Sequence, residues 1–187
     1  KQICEEILRD EVASGSPSRV ISLRYFNPVG AHPSARIGEL PLGVPANLVP
    51  FITQTVIGIR EQLSVFGDDY NTPDGSAIRD YINVVDLAKA HVVAIRRLMD
   101  NKQKKPMEVF NLGTGTGLSV LEVIRAFETA TGEEVNYKIV ARREGDIEQV
   151  WADTRFANEE LGWKAERGME ETLQSAWKWE QYIRNKA

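Results

Sequence analysis

Arginines in loops are the side chains best suited to chemistry in this chain. Arg79 follows a polar run from Asp68 to Ser76, and Arg142 and Arg143 share a charged loop with Asp146. A planar guanidinium offers a fork of donors that matches phosphate oxygens, and loops on a rigid scaffold are where binding groups collect. On residue type alone, the default reading of each is a surface ion pair. Phe66, just before Gly67, has a face on which a base could stack, but unaided it reads as core. The run Gly113-Thr114-Gly115-Thr116-Gly117 follows a predicted strand and precedes a predicted helix. A dinucleotide cradle needs G-x-G-x-x-G with a small sixth residue, and here the sixth is Leu118. The acidic residue expected further on, Glu133, stands before a predicted strand rather than at its end, so the run reads as a tight strand-to-helix turn.

Other chemistries find no constellation. His32 and His91 lie 59 residues apart with no ligand-spaced Cys or carboxylate around them, which predicts no metal site. His91 falls within a helical apolar pattern and reads as structural. No G-x-S-x-G elbow nominates a serine nucleophile. The single cysteine, Cys4, excludes an internal disulfide and is expected on the buried face of a helix.

These residues need elements to hold them. Apolar positions at helical spacing, Ile3, Cys4, Ile7, Leu8 and Val12, predict a helix stopped by Ser14-Gly15-Ser16-Pro17; with no start signal before it, it reads as a helix already in progress. Arg19 to Phe26 reads as a strand, and Asn27 to about Pro45 as a Pro- and Gly-rich loop. A helix is predicted from Asn47 to Glu61, a strand from Leu63 to Phe66, a strand from Arg79 to Val84, and a helix from Asp86 to Met99. Glu108 to Leu112 is the next strand. Ser119 with Glu122 makes a capping-box pattern that opens a helix to Thr131, closed by Gly132. Val135 to Ala141 reads as a strand, and helices close the chain at 155–161 and 169–185. Trp177 and Trp179 cannot share a helical face, so at least one is expected at a surface. Strands alternating with helices indicate an α/β fold with a partly parallel sheet.

Composition narrows the partners. The chain has 187 residues, with 23 Lys plus Arg against 27 Asp plus Glu, a net charge of −4. That balance argues against nucleic acid and against a basic membrane-facing surface, and the charged run Asn101–Pro106 reads as a solvated loop. No apolar run reaches the roughly 18 residues of a membrane span. One cysteine fits a reducing compartment, and a cytoplasmic location is the expectation.

Arg24-Tyr25-Phe26-Asn27-Pro28-Val29-Gly30-Ala31-His32-Pro33 resembles the signature segment of UDP-glucose (UDP-galactose) 4-epimerases. The resemblance continues in Pro45–Pro50, Asp74–Tyr81, Asn111–Gly115, Arg142–Asp146 and Trp151–Asp153, so it covers essentially the whole chain in the family's order. It implies an extended short-chain dehydrogenase/reductase of Rossmann type. Residues 1–187 would be its C-terminal UDP-sugar-binding portion, with late Rossmann strands near 19–26 and 108–112 and a small α/β substrate domain. Lys1 would be the lysine of the family's Y-x-x-x-K motif. The tyrosine, a Ser or Thr hydroxyl and the glycine-rich NAD loop would lie in an N-terminal half that this chain lacks, so the fragment is expected to be inactive alone.

For the parent the resemblance implies an isomerase with tightly bound NAD, homodimeric, acting on UDP-glucose and UDP-galactose through a 4-keto intermediate. Lys1 would favour the tyrosinate and hydrogen-bond the nicotinamide ribose, and Phe26 would approach the nicotinamide through its backbone. Asn27, Arg79 and Arg143 would meet the diphosphate. Asn47 and Leu48 would border the nucleotide, Ser64, Val65 and Phe66 would line the uracil, and Asp146 would accept ribose hydroxyls. At Val150 some members carry a tyrosine beside the sugar, so the smaller residue is expected to admit the acetamido group of UDP-GlcNAc and UDP-GalNAc. Two alternatives are another short-chain nucleotide-sugar enzyme, a dehydratase or uronate epimerase, and a non-catalytic nucleotide-sugar-binding module.

Overall fold

The computed structural model describes residues 1–185. In chain order its elements are α1 (Gln2–Ala13), β1 (Val20–Tyr25), β2 (Asn27–Val29), α2 (Leu48–Val56), β3 (Leu63–Phe66), β4 (Ile78–Arg79), β5 (Tyr81–Asn83), α3 (Val84–Met99), β6 (Met107–Leu112), β7 (Leu118–Ser119), α4 (Val120–Thr131), β8 (Tyr137–Val140), β9 (Gln149–Val150), a π-helical turn (Ala157–Leu161) and α5 (Met169–Arg184). Strands pair in parallel as β1 with β6, β2 with β5, β3 with β8 and β4 with β9, and β4 also meets β7 antiparallel. The fold is α/β, as the alternation of elements predicts.

At Phe26–Asn27 the chain changes partner. The N–H of Phe26 donates to Leu112 O at 3.4 Å, extending the β1/β6 ladder, and the N–H of Asn27 donates to Asp80 O at 3.0 Å, opening the β2/β5 ladder. The sequence reading of Asn27 to about Pro45 as loop is therefore corrected at Asn27–Val29, which is a strand. Pro28 fits there because only alternate residues of the strand face β5, and its missing N–H falls on the other side. A change of partner at the carboxyl end of a parallel strand opens a crevice where α/β sheets bind ligands.

Two cores hold the frame. One joins α2, α4 and α5 to β3 through Ile52, Val65, Ile124, Phe127, Leu173 and Trp177. Phe127 meets Trp177 edge to face, with ring centroids 5.9 Å apart. The other packs α3 and the π-helical turn on β1 and β6 through Leu87, Ala90, Phe110, Leu112 and Trp163. Helix α4 begins at the capping box expected from sequence: Ser119 Oγ accepts from Glu122 N at 3.0 Å, and Ser119 N donates to Glu122 Oε2 at 2.7 Å. It ends at Gly132, whose φ of 75° is the left-handed cap conformation.

Several boundaries differ for physical reasons. Helix α2 stops at Val56 rather than Glu61, because Gly58 at φ 83° turns the chain after the cap at Ile57. The strand read over 79–84 divides at Asp80, and Val84 already belongs to α3, capped by the Asn83 side chain accepting from Val85 N at 2.8 Å. Residues 157–161 form a π-helical turn rather than a regular helix. Cys4 is exposed, not buried. Helix α1 meets β1 through Glu5, which accepts from Ser22 and Arg24, and this leaves Ile3 and Ile7 facing outward, 69% and 61% exposed. Trp177 is buried, whereas the indole N–H of Trp179 is held by Glu39 O at 2.8 Å under the loop before α2.

Candidate functional site

A cavity of about 510 Å³ opens beside the change of partner. Its walls come from Asn27 on β2, the 44–48 segment leading into α2, Ser64 and Phe66 on β3, Arg79 and Tyr81 around the β4–β5 junction, and Arg143 and Asp146 in the loop after β8. Pairing of β3 with β8 carries Arg143 to Phe66, and pairing of β4 with β9 carries the 146–150 segment to Arg79.

Both guanidinium groups of the cavity already have partners within the protein. Arg79 Nη2 donates to Asp146 Oδ1 at 2.5 Å, and its Nη1 donates to Ile78 O at 2.7 Å. The Arg143 guanidinium lies 3.8 Å over the Phe66 ring, a cation–π contact. Its neighbour Arg142 turns the other way, onto the Tyr70 ring at 4.0 Å and the Asp69 carboxylate at 2.5 Å. Of the two adjacent arginines, only Arg143 faces the cavity. Burial raises the Tyr81 phenol to about 12, so it is a neutral hydroxyl and not a base at neutral pH.

The cavity brings together Asn27, Asn47, Leu48, Ser64, Phe66, Arg79, Arg143 and Asp146. Asn47 occupies the position before α2, but its side chain donates to Glu39 Oε1 at 2.7 Å instead of capping the helix. Strand alternation turns the Val65 side chain away from Ser64 and Phe66 into the core, where it is 1% exposed. Val150 pairs with Arg79 across β4 and β9 and is half-buried outside the cavity wall. Phe26 and Lys1 also lie outside that wall, Phe26 half-buried and Lys1 exposed before α1. Sequence reasoning missed Phe51 and Tyr81. Tyr81 stands two residues after Arg79 on the same side of the chain, so alternation could have found it.

A second cavity of about 480 Å³ is largely apolar, lined by Pro28, Ile37, Val84, Val85 and Ala88, and it shares Asn47 with the first. The Gly113–Gly117 turn lines neither. Thr114 N and Gly115 N donate to the Asp80 carboxylate at 2.8 and 3.1 Å, so its backbone donors are filled by the protein's own anion. The turn is structural, in agreement with the sequence reading, and it does not fit a dinucleotide pyrophosphate. Among the described residues no His, Cys, Asp and Glu cluster could hold a metal ion, and no helix is long and apolar enough to cross a membrane.

A family model described as GDP-mannose 4,6 dehydratase matches residues 1–176. The chain belongs to this family. Within the family it is 51% identical over 180 residues to a UDP-glucose 4-epimerase of Bacillus subtilis, covering 96% of this chain and 52% of that protein. The structure superposes with a TM-score of 0.95 on UDP-glucose 4-epimerase from Stenotrophomonas maltophila, solved with bound NAD and formylated UDP-arabinopyranose; it is 48% identical and covers all of this chain and 55% of the other. The enzyme from Bifidobacterium longum, solved with NAD+ and UDP, gives a TM-score of 0.91 at 48% identity, with 99% of this chain and 54% of the other covered. The chain spans about half the length of the curated relatives it matches. Its parallel α/β architecture is that of the Rossmann-type epimerase fold.

Proposed function

We propose that this chain forms the UDP-sugar dock of a UDP-glucose 4-epimerase acting on UDP-glucose and UDP-galactose. The observation that carries this reading is the convergence of Arg79, Arg143, Phe66 and Asp146, from separate segments, on one cavity. Two guanidinium groups suit the oxygens of a diphosphate, an aromatic face suits a pyrimidine, and a carboxylate accepts from the vicinal hydroxyls of a ribose. Asn27 would add an amide donor to the phosphates, Asn47 and Leu48 would border the nucleotide, and the neutral Tyr81 hydroxyl would face them. Relatives at about 50% identity bear the epimerase name, and the Bifidobacterium enzyme was solved with UDP.

Hydride chemistry is what NAD supplies to such an enzyme. The Gly113–Gly117 turn, its donors filled by Asp80, offers no dinucleotide cradle. The part assigned to this chain is to bind and orient the UDP-sugar, with Lys1 and Phe26 the residues expected toward the cofactor. Calorimetric titration of the folded chain with UDP, after circular dichroism confirms its folding, tests the reading. Saturable one-to-one binding is expected, and a folded chain that takes up no UDP would sink the proposal.

Val150 sets a second expectation. Val150 pairs with Arg79 across β4 and β9, and the reading as an epimerase would set its small side chain toward the sugar, where an acetamido group needs room. In the longer enzyme carrying this chain, Val150→Tyr is expected to lower turnover of UDP-GlcNAc and UDP-GalNAc by about ten-fold or more, while UDP-galactose changes by less than about two-fold. Equal losses on both substrate types would show that Val150 does not select between them.

A further inference from the structure

Asp80 is fully buried, yet it lies one residue from the arginine that faces the cavity. Alternation explains the placement: Arg79 and Tyr81 point into the cavity, and Asp80 points behind it. There Oδ1 accepts from Thr114 N at 2.8 Å and Thr114 Oγ1 at 2.7 Å, and Oδ2 accepts from Gly115 N and Ala152 N, both at 3.1 Å. Its backbone carbonyl accepts from Asn27 N at 3.0 Å. The approach is so close that a Cβ on Gly113 would come within 2.3 Å of Oδ2 and 2.7 Å of the Ala152 methyl. The turn is an anion-binding concavity, and its anion is a side chain of the same protein.

Asp80 sits where segments of the site meet the turn behind them: its carboxylate holds the 113–115 turn and Ala152, and its backbone carbonyl holds Asn27. The β4–β5 junction carries Arg79 and Tyr81, Asn27 hangs on the Asp80 carbonyl, and Ala152 lies two residues after Val150. We propose that Asp80 is the positioning residue of the diphosphate clamp: without touching ligand, it fixes the Arg79 guanidinium relative to Asn27 by locking the β4–β5 junction to the 113–115 turn and to residue 152. The proposal rests on the reading of the cavity as a UDP dock.

Asp80→Asn preserves shape and one acceptor oxygen but turns an amide NH2 toward the N–H groups of Gly115 and Ala152, donor against donor. The expected result is a chain that remains folded by circular dichroism and binds UDP about ten-fold or more weakly. Uridine has no diphosphate, and its affinity, read by NMR shift titration, should stay within about two-fold of wild type. A merely structural role would lower both together. Asp86→Asn is the control: Asp86 is also buried, accepts from Glu166 N and Arg167 N, and stands outside the cavity wall, so UDP affinity should be unchanged there. If Asp80→Asn does not fold, Thr114→Val removes one donor while keeping the carboxylate. It should weaken UDP by about two- to three-fold with uridine unaffected. Unchanged UDP affinity in the folded variant, or equal losses for UDP and uridine, would overturn the positioning role. A wild-type chain that does not bind UDP would overturn the dock itself, and this role with it.

Discussion

Replacing Arg79 with Ala is expected to weaken UDP binding by about 100-fold, the largest effect of any single change in the cavity. Two contributions add. A guanidinium on a phosphate is a charge-assisted contact, at about 1.5–3 kcal/mol each. The second comes from Asp146, which Arg79 engages at 2.5 Å and which would otherwise face the incoming diphosphate unpaired. The double variant Arg79→Ala/Asp146→Asn should therefore recover part of the loss, since the substituted amide keeps an acceptor oxygen without the charge. Arg143→Ala should also weaken binding strongly, because that guanidinium lies in the cavity over Phe66. Its neighbour is the control. Arg142 is engaged by Asp69 and Tyr70 on the outside, so Arg142→Ala should leave UDP affinity within about two-fold, and raised salt should weaken the wild type more than Arg79→Ala. Calorimetry at two ionic strengths reads all of these. Wild-type affinity in Arg79→Ala would remove the clamp.

That contrast between adjacent arginines shows where sequence reading ends. Residue type marked Arg142 and Arg143 alike, and resemblance chose Arg143, but the choice is made physically by the β3/β8 pairing that aims one side chain at Phe66 and the other at Tyr70. Local signals were legible wherever a single turn of chain decides the outcome. Ser119, Glu122 and Gly132 bound α4 by capping chemistry, and Leu63 to Phe66 is a strand over the predicted residues. Signals that depend on a distant partner were not. The two-residue strands β4, β7 and β9 exist only through one another, and β2 exists because Asp80 and β5 accept it despite Pro28. Asp80 carried no signal at all, since its partners lie some 34 and 72 residues away along the chain.

The largest expected loss of stability lies away from the cavity, at Arg97 and Glu108. Arg97 of α3 grips Glu108 of β6 with Nε to Oε2 at 2.7 Å and Nη2 to Oε1 at 2.9 Å, and its Nη1 donates to Glu160 O at 2.7 Å. Lys104 N completes the Glu108 carboxylate at 3.0 Å. The side chains are 10% and 4% exposed, so water cannot replace a lost partner. Arg97→Ala strands a buried carboxylate and should cost about 3–5 kcal/mol, a fall in Tm of about 6–20 °C for a chain of this size. Arg97→Met with Glu108→Gln removes both charges, keeps an acceptor for Lys104 N, and should return to within about 2 kcal/mol of wild type. The pH dependence separates the pair from mere packing. The hydrogen bonds from Arg97 hold the Glu108 carboxyl below its ordinary 4.5, so the unfolded chain binds this proton more readily than the folded one. The stabilisation is present above 4.5 and is lost as pH falls through the lower folded value, and the double variant should lack that part of the acid-side decline. Denaturant unfolding across pH 3 to 7 reads this directly. Because the pair packs in the α3–β6 core and not on the cavity, UDP affinity of each folded variant should match wild type; a destabilised Arg97→Ala that also loses UDP would tie the two cores together and contradict their separation.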